Sequence, residues 1–328
     1  MFLERPRRAV SVDQIQDNSE QPRSTLTEAI SAFRSGDLSQ TQVARLSDLS
    51  RVNARELAAA WETIPEANRI DLVRRFDELS EERVELNFGR ALRVALNDRS
   101  PVVRQLAVAG LWEDESSELL DRLRDILEND ESPDVRAQAA AALERFASKA
   151  VVGSLDESVA SDLRDSLRKS AIDAAAPYAV QRRALESLGP YAADAEISSL
   201  ISEAFESEDH GLQCSALYAM GRSQDSQWLP TILAELESED PEIRFEAARA
   251  AGLLGSADAL PVLLQAARDE DAEVRHTAIG AIGQIGGRGA VRALERLAED
   301  AGEADLELIE SAIDDVNALI EPLQPASS

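Results

Sequence analysis

Cysteine is all but absent: Cys214 stands alone in 328 residues. An intrachain disulfide is therefore impossible, a metal site built from several cysteines is excluded, and a reducing compartment is expected. Lysine is as scarce, with Lys149 and Lys169 alone among the 34 basic residues. That bias fits a high-salt or GC-rich source and bears on no mechanism. Aromatic residues make up 4% of the chain, so its core must be built from small and aliphatic side chains, as between packed helices, and not from the β-branched and aromatic residues that sheets favour. Long apolar runs are missing too. The most apolar stretch, 250–267, is interrupted by Asp258 and Pro261 and has helical spacing, which makes it core and not membrane. The opening "MFLERPRRAV" carries charge with no apolar run behind it, so neither a signal peptide nor an anchor is expected, and the location is expected to be cytoplasmic.

Positive charge is also in deficit. Against 62 acidic residues the 34 basic ones leave a formal charge of −28, and residues 1–23, with four of each sign, contribute none of it. Such a field repels phosphate backbones, which excludes nucleic acid as a partner.

What is present is repetition. Residues 1–23 read as a disordered tail and 323–328 as a second tail. Residues 24–97 form a helical region of about five helices, with capping boxes expected at Thr25 with Glu28, Ser39 with Gln42 and Asn53 with Glu56. Leu57, Ala60, Trp61 and Ile64 line one helix and Leu72, Phe76 and Leu79 the next, so Trp61 is read as core. From residue 98 to 322 the chain repeats itself. Asp209, Asp240 and Asp271 are spaced 31 apart, as are Gly221, Gly252 and Gly283, and Ser100 and Ser132 are earlier starts of the same kind. Each start precedes an apolar stripe, and Pro101, Pro133 and Pro241 follow directly, the pattern of an N-cap with proline at the first helical position.

The first-helix stripe runs through Val103 and Ala107, Val135 and Ala139, Val180 and Ala184, Leu212 and Ala216, Ile243 and Ala247, and Val274 and Ala278. Second helices carry Ile197 and Ile201, Leu229 and Ile232, and Leu260 and Leu263. The glycines, Gly189 included, are expected to close first helices with positive φ. A two-helix unit cannot bury both stripes alone, so copies must stack. The step from Glu144 to Gly189 is longer than the others, which marks an insertion at 147–177, a lengthened helix around Asp156 to Ile172 preceded by the loop "KAVVGSLDES". The last copy keeps Ile309 and Ile313 but has no cap or glycine, as a terminal unit would.

The unit "DPEIRFEAARAAGLLGSADALPVLLQAARDE" resembles HEAT repeats of the short phycobilisome-lyase-like type. The resemblance implies an all-α fold, a right-handed α-α superhelix of the armadillo-like helical kind, preceded by the helical N-terminal region. It also implies a ladder in which the Asp of each helix start and the Arg four residues later link neighbouring units. Asp240 with Arg244 and Asp271 with Arg275 match, Arg104 and Arg136 match behind Ser, and Gln213 breaks the ladder.

No catalytic, cofactor-binding or metal-ligating residue is assigned. With His210 and His276 alone, the His-Glu pairs of di-iron hydroxylases built on HEAT scaffolds are missing, and a HEAT-like DNA glycosylase would need a cationic groove. The acidic runs "WEDESSE" and "ARDEDAE" lack a calcium-loop pattern. Cys214 is read as a small buried hydrophobe with no histidine partner. Gly286, Gly287 and Gly289 lead into a helix and are weighed as an anion site against a plain turn. Arg288, Arg292 and Arg296 form one basic stripe at i, i+4 and i+8. In such solenoids second helices line the concave face, where Ser199, Glu203, Glu235, Gln265, Arg292 and Arg296 would meet a partner. The expectation is a non-enzymatic scaffold that binds a protein of unknown identity, neither nucleic acid nor membrane. A bilin lyase-like or other protein-modifying factor and a purely structural, oligomerising module are the alternatives.

Overall fold

Helix starts follow cap chemistry, and the computed structural model, which describes residues 23–320, shows it residue by residue. Asp209, Asp240 and Asp271 are N-caps whose side chains accept amides of the first turn, satisfying donors that a helix leaves open. Ser39 and Ser100 are caps as expected, although neither side chain accepts an amide. Two expected starts shift. Ser50, not Asn53, caps its helix, its Oγ accepting the Asn53 amide at 3.1 Å, and the first helix opens at Arg23, ahead of Thr25. The expected tails fall outside the described residues, apart from Arg23.

Two compact units divide between Leu143 and Glu144, inside one helix. The first holds α1 (Arg23–Ser35), α2 (Gln40–Ala44), α3 (Arg51–Ala60), α4 (Glu66–Glu82), α5 (Gly89–Ala95), α6 (Pro101–Gly110), α7 (Ser117–Asn129) and the start of α8 (Pro133–Val151). Here α1 packs on α3, α3 on α5, α2 on α4 and α4 on α6, so alternate helices form two layers. Between them lie Leu26, Phe33, Leu57, Leu72, Phe76 and Val103, all buried, with the Phe76 and Phe88 rings stacked 4.6 Å apart. Trp61 is core, as read from its spacing.

The second unit continues with α9 (Glu157–Ile172), α10 (Tyr178–Ser187), α11 (Ala195–Phe205), α12 (His210–Arg222), α13 (Leu229–Glu235), α14 (Pro241–Leu254), α15 (Leu260–Ala266), α16 (Ala272–Ile285), α17 (Gly287–Asp300) and α18 (Glu303–Ile320). First helices pack in one row, α10 on α12, α12 on α14, α14 on α16 and α16 on α18. Each second helix packs on the first helix that follows it. Residues 147–177 hold the end of α8, a turn at 152–156 and α9. Among the described residues there is no strand, and no helix is long and apolar enough to cross a membrane.

The repeating glycines have a different purpose from the one expected. Gly221, Gly252 and Gly283 lie inside α12, α14 and α16, and none has positive φ. Gly221 and Gly252 mark where the next first helix comes closest, whereas a Cβ on Gly283 would meet Ala312 Cβ at an ordinary 3.5 Å. A Cβ on Gly221 would lie 2.6 Å from Ala250 Cα, one on Gly252 2.8 Å from Ala281 Cα, and one on Gly189 2.6 Å from Ala219 O. Glycine against alanine, repeated 29 or 30 residues on, sets the row spacing. Positive φ is needed instead at Gly255, the C-cap of α14, and at Gly286 and Gly287, which turn α16 into α17.

The last copy is one helix. α18 buries Ile309, Ala312 and Val316 on α16 and α17 and exposes Glu307, Glu310, Asp314 and Asp315, so a polar face ends the stack.

Candidate functional site

Three sets of polar side chains can be built up from these helices: the arginine ladder, the exposed face of the second helices, and a cluster at the α12–α14 junction.

The ladder runs from Arg to an Asp two residues ahead of the next helix cap, not to the cap itself. Arg244 Nε and Nη2 donate to Asp269 at 2.7 and 2.8 Å, while its Nη1 donates to the carbonyls of Ser238 and Glu239. Arg104 grips Asp130 in the same way, at 2.8 and 2.7 Å; Arg275 departs from the pattern, reaching Asp305 inside α18 at 3.2 Å, and Arg136 donates to the Leu127 carbonyl instead. In turn Asp269 accepts the amide of Asp271, and Asp130 that of Ser132. The Arg244 bond foremost holds the Asp269 carboxyl below the usual carboxylate range. Burial alone would raise Asp130, but Arg104 and the Ser132 amide outweigh it and lower it.

The ladder starts earlier than the sequence repeats suggest. Arg69, fourth in α4, donates to both oxygens of the buried Asp98 at 2.6 and 3.0 Å, and Trp61 Nε1 adds a third bond at 2.6 Å. At Gln213 it is only half broken. The side-chain Nε2 of Gln213 donates to Ser207 O at 2.7 Å, the carbonyl bond that Arg244 makes in its own unit, but no bond reaches the next unit, where Ser238 stands in the place of Asp269. Gln181, bonded to Ala176 O, and Ser207 repeat that exchange one unit earlier.

On the second helices, Ser199 and Glu203 are exposed on α11 and joined by a 3.0 Å hydrogen bond. Glu235 ends α13 half-buried, and Gln265 is exposed on α15. Arg288, Arg292 and Arg296 share an exposed face of α17 and form no ion pair with a described residue. No side-chain bond among the described residues joins these helices' candidates to one another. The glycines before Arg288 are accounted for by the tight α16–α17 turn, so the anion reading gains nothing.

The third set overturns the expectation that Cys214 has no histidine beside it. His210 and Cys214 are one turn apart on α12, and Cys214 Sγ lies 4.0 Å from His210 Nδ1. His210 Nε2 is 2.9 Å from Asp240 Oδ2, and its Nδ1 3.7 Å from a Glu242 oxygen. His210, Cys214 and Glu242 donor atoms all fall within 4.8 Å of one another. The order Cys–His–Asp is that of a thiol nucleophile with its base, but Cys214 is buried, and burial first, then Glu242 and Glu246, push its thiol up to about 12. A nucleophile needs the opposite shift and access. The spacing of His210 and Cys214 was visible in the sequence; Glu242 requires knowing which turns of adjacent units meet.

Two hollows lie beside the ladder. One of about 440 Å³ is lined by Asp98, Arg104, Arg122, Asp125, Asp130 and Glu131, and one of about 190 Å³ by Arg268, Arg275, Asp300 and Asp305 among others. Neither is lined by a cysteine, histidine, serine, threonine or tyrosine.

Known proteins place this geometry in context. The family model for HEAT repeats matches residues 90–176 and 229–313, more than half of the chain. The complex of CpcE and CpcF of phycocyanin lyase from Nostoc sp. PCC7120 is similar in structure, with TM-score 0.54 and 19% identity over 77% of this chain and 96% of that one. YibA of Escherichia coli gives TM-score 0.38 and 16% identity over 91% and 97% of the two chains. Human deoxyhypusine hydroxylase in complex with glycerol gives 0.34 and 16% over 90% and 98%. No curated protein matches by sequence.

Proposed function

The chain belongs to the HEAT-repeat family, and from that premise we propose that it is a cytoplasmic, non-enzymatic scaffold that binds a partner protein on the face of its second helices. One observation carries this reading. Arg288, Arg292 and Arg296 stand exposed on α17 and pair with no described acidic residue, in a chain whose formal charge is −28. Arginine elsewhere in the repeats is largely committed to carboxylates or carbonyls, as Arg69, Arg104 and Arg244 are. An uncommitted basic stripe, flanked on earlier second helices by Glu203, Glu235 and Gln265, fits an extended partner with an acidic stretch opposite α17 and basic residues opposite α11 and α13.

The test is capture from the native source by the wild type and by Arg292→Glu/Arg296→Glu. The same protein should be captured by the wild type at low salt, weakly at high salt, and not by the double variant, because exposed charges act through steering and are screened over about 8 Å at physiological ionic strength. Glu273→Lys, on the exposed side of α16, should leave capture intact. Loss with Glu273→Lys and none with the arginine reversal would move the binding face to the first helices. The similarity to a phycocyanin lyase complex makes one further control necessary: incubation with a tetrapyrrole and acceptor protein should yield no covalent chromophore.

A further inference from the structure

The α12–α14 junction gathers side chains that neither the ladder nor the second-helix face uses. We propose that His210 Nδ1, Cys214 Sγ and a Glu242 carboxylate oxygen form a site for a divalent ion of the zinc class, with a fourth position open to water.

The donor set carries the choice of ion. A thiolate, an imidazole and a carboxylate together suit a borderline-soft, tetrahedral cation and do not suit calcium or magnesium, which take oxygen ligands. The spacing carries the geometry. Bonds of about 2.0 to 2.3 Å to a tetrahedral ion set donor atoms about 3.3 to 3.7 Å apart. The observed separations are 4.0 Å from Sγ to Nδ1 and 3.7 Å from Nδ1 to Glu242, with all three donors within 4.8 Å of one another, so closing on an ion draws the set in by at most about 1 Å. Glu242, its side chain 63% exposed at the start of α14, is free to supply it.

A second observation is independent of the three donors. Asp240 Oδ2 lies 2.9 Å from His210 Nε2, so the carboxylate fixes the proton on Nε2 and leaves the lone pair on Nδ1, the nitrogen that faces Cys214 and Glu242. Asp240 is itself fixed, because its Oδ1 accepts the Glu242 amide at 2.9 Å. A carboxylate behind the distal nitrogen of a ligating histidine is the recurring outer shell of such sites. Ion binding displaces the Cys214 thiol proton to solvent and leaves the histidine neutral.

The site also stands where the repeat lacks its usual link. Between α12 and α14 the Arg–Asp pair is replaced by Gln213 and Ser238, which do not bridge the units. An ion held by His210 and Cys214 from α12 and by Glu242 from α14 would bridge them instead.

Tag-free protein stripped with a chelator and titrated with Co²⁺ tests this. The wild type should bind one equivalent, with a thiolate-to-cobalt charge-transfer band and the intense visible absorption of tetrahedral cobalt, and Zn²⁺ should displace it and raise the melting temperature. Cys214→Ser should abolish the charge-transfer band. Asp240→Asn, which keeps an N-cap side chain, should weaken binding about 10- to 100-fold. Glu242→Gln, at an exposed position that folding tolerates, should weaken it measurably, and His276→Ala should not change it. Absence of the band in the wild type overturns the proposal, as does one-equivalent binding at wild-type affinity in both Glu242→Gln and Asp240→Asn.

Discussion

Arg244 spans two repeat units: its guanidinium bonds the carbonyls of Ser238 and Glu239 at the start of its own helix and the carboxylate of Asp269 ahead of the next. One side chain thus satisfies loop carbonyls in one unit and ties the loop of the following unit, whose Asp269 in turn holds the Asp271 amide. The link is geometric as well as electrostatic, because the fork of the guanidinium fixes both oxygens at once.

Arg244→Ala is therefore expected to destabilise the protein by about 1 to 3 kcal/mol, since it leaves a mostly buried carboxylate and two carbonyls without their donor. The loss should depend on pH. The folded-state pKa of Asp269 is lowered, so its contribution is present above the unfolded carboxylate value near ~3.9 and is lost as pH falls through the folded value. Melting curves of wild type and variant should be furthest apart at neutral pH and draw closer in acid, as pH falls through the lowered folded value of Asp269. A gap that stays constant with pH would remove Asp269 from the account.

How far the sequence revealed this is clear from the same residues. Asp240 and Asp271 were legible as caps because an N-cap bonds within its own turn, so the cause lies inside the sequence window. The ladder was legible in its arginines but not in its acceptors: Asp269 and Asp271 both precede the helix, and only the reach of the side chain from the previous unit selects the first. Gly221 and Gly252 were legible as repeating marks. Their reason, contact with Ala250 and Ala281, depends on the distance between helix axes, which no local pattern encodes. Cys214 was legible as buried, and His210 was in view four residues before it, but the meeting with Asp240 and Glu242 follows from the stacking of units.

Close approach at the glycines gives the next expectation. Gly252→Ala would raise helix propensity by about 1 kcal/mol in an isolated helix. Here the added methyl would meet Ala281 Cα at 2.8 Å, backbone that cannot move aside without shifting α16. The net effect should be a loss of roughly 1 to 3 kcal/mol, as for overpacking elsewhere. Gly280→Ala, on the same row of helices with open space around it, should be neutral or stabilising. Thermal melts of the two variants distinguish packing from backbone freedom as the reason for glycine.

Glu246 should behave in the opposite way to Asp269. Its Oε2 is buried without a hydrogen bond, with Arg249 only as near as 3.6 Å, and burial foremost raises its pKa. A folded pKa above the unfolded one means that the ionised form opposes folding, fully above the folded value, and that this cost fades as pH falls through it towards the unfolded carboxyl value near ~4.3. Glu246→Gln should raise the melting temperature at pH 7, and the gain should shrink as the solution is acidified. A variant less stable than wild type at pH 7 would show that the carboxylate has a partner in solution.

The exchange of Arg for Gln and Asp for Ser within one chain gives the last expectation. Where the fourth residue of a first helix is Gln, at 181 and 213, the residue two ahead of the next helix cap is Ser, at 207 and 238; where it is Arg bonded to the next unit's loop, at 104 and 244, that residue is Asp, at 130 and 269, whereas Arg136 donates to Leu127 O and Arg275 to Asp305 inside α18. Each half has little to do without the other. Gln213→Arg alone would aim a guanidinium at the Ser238 hydroxyl, and Ser238→Asp alone would add an unpaired carboxylate to an already acidic chain. Both single variants should therefore be neutral or destabilising. Together they should recreate the fork seen at Arg244 and Asp269, with a favourable coupling of about 0.5 to 3 kcal/mol in a double-mutant cycle. The cycle is best run on chelator-treated protein, so that any ion at His210, Cys214 and Glu242 does not already hold α12 to α14. Strict additivity would show that the two positions do not meet across the junction, and that the Arg–Asp geometry of the neighbouring units cannot be carried into it.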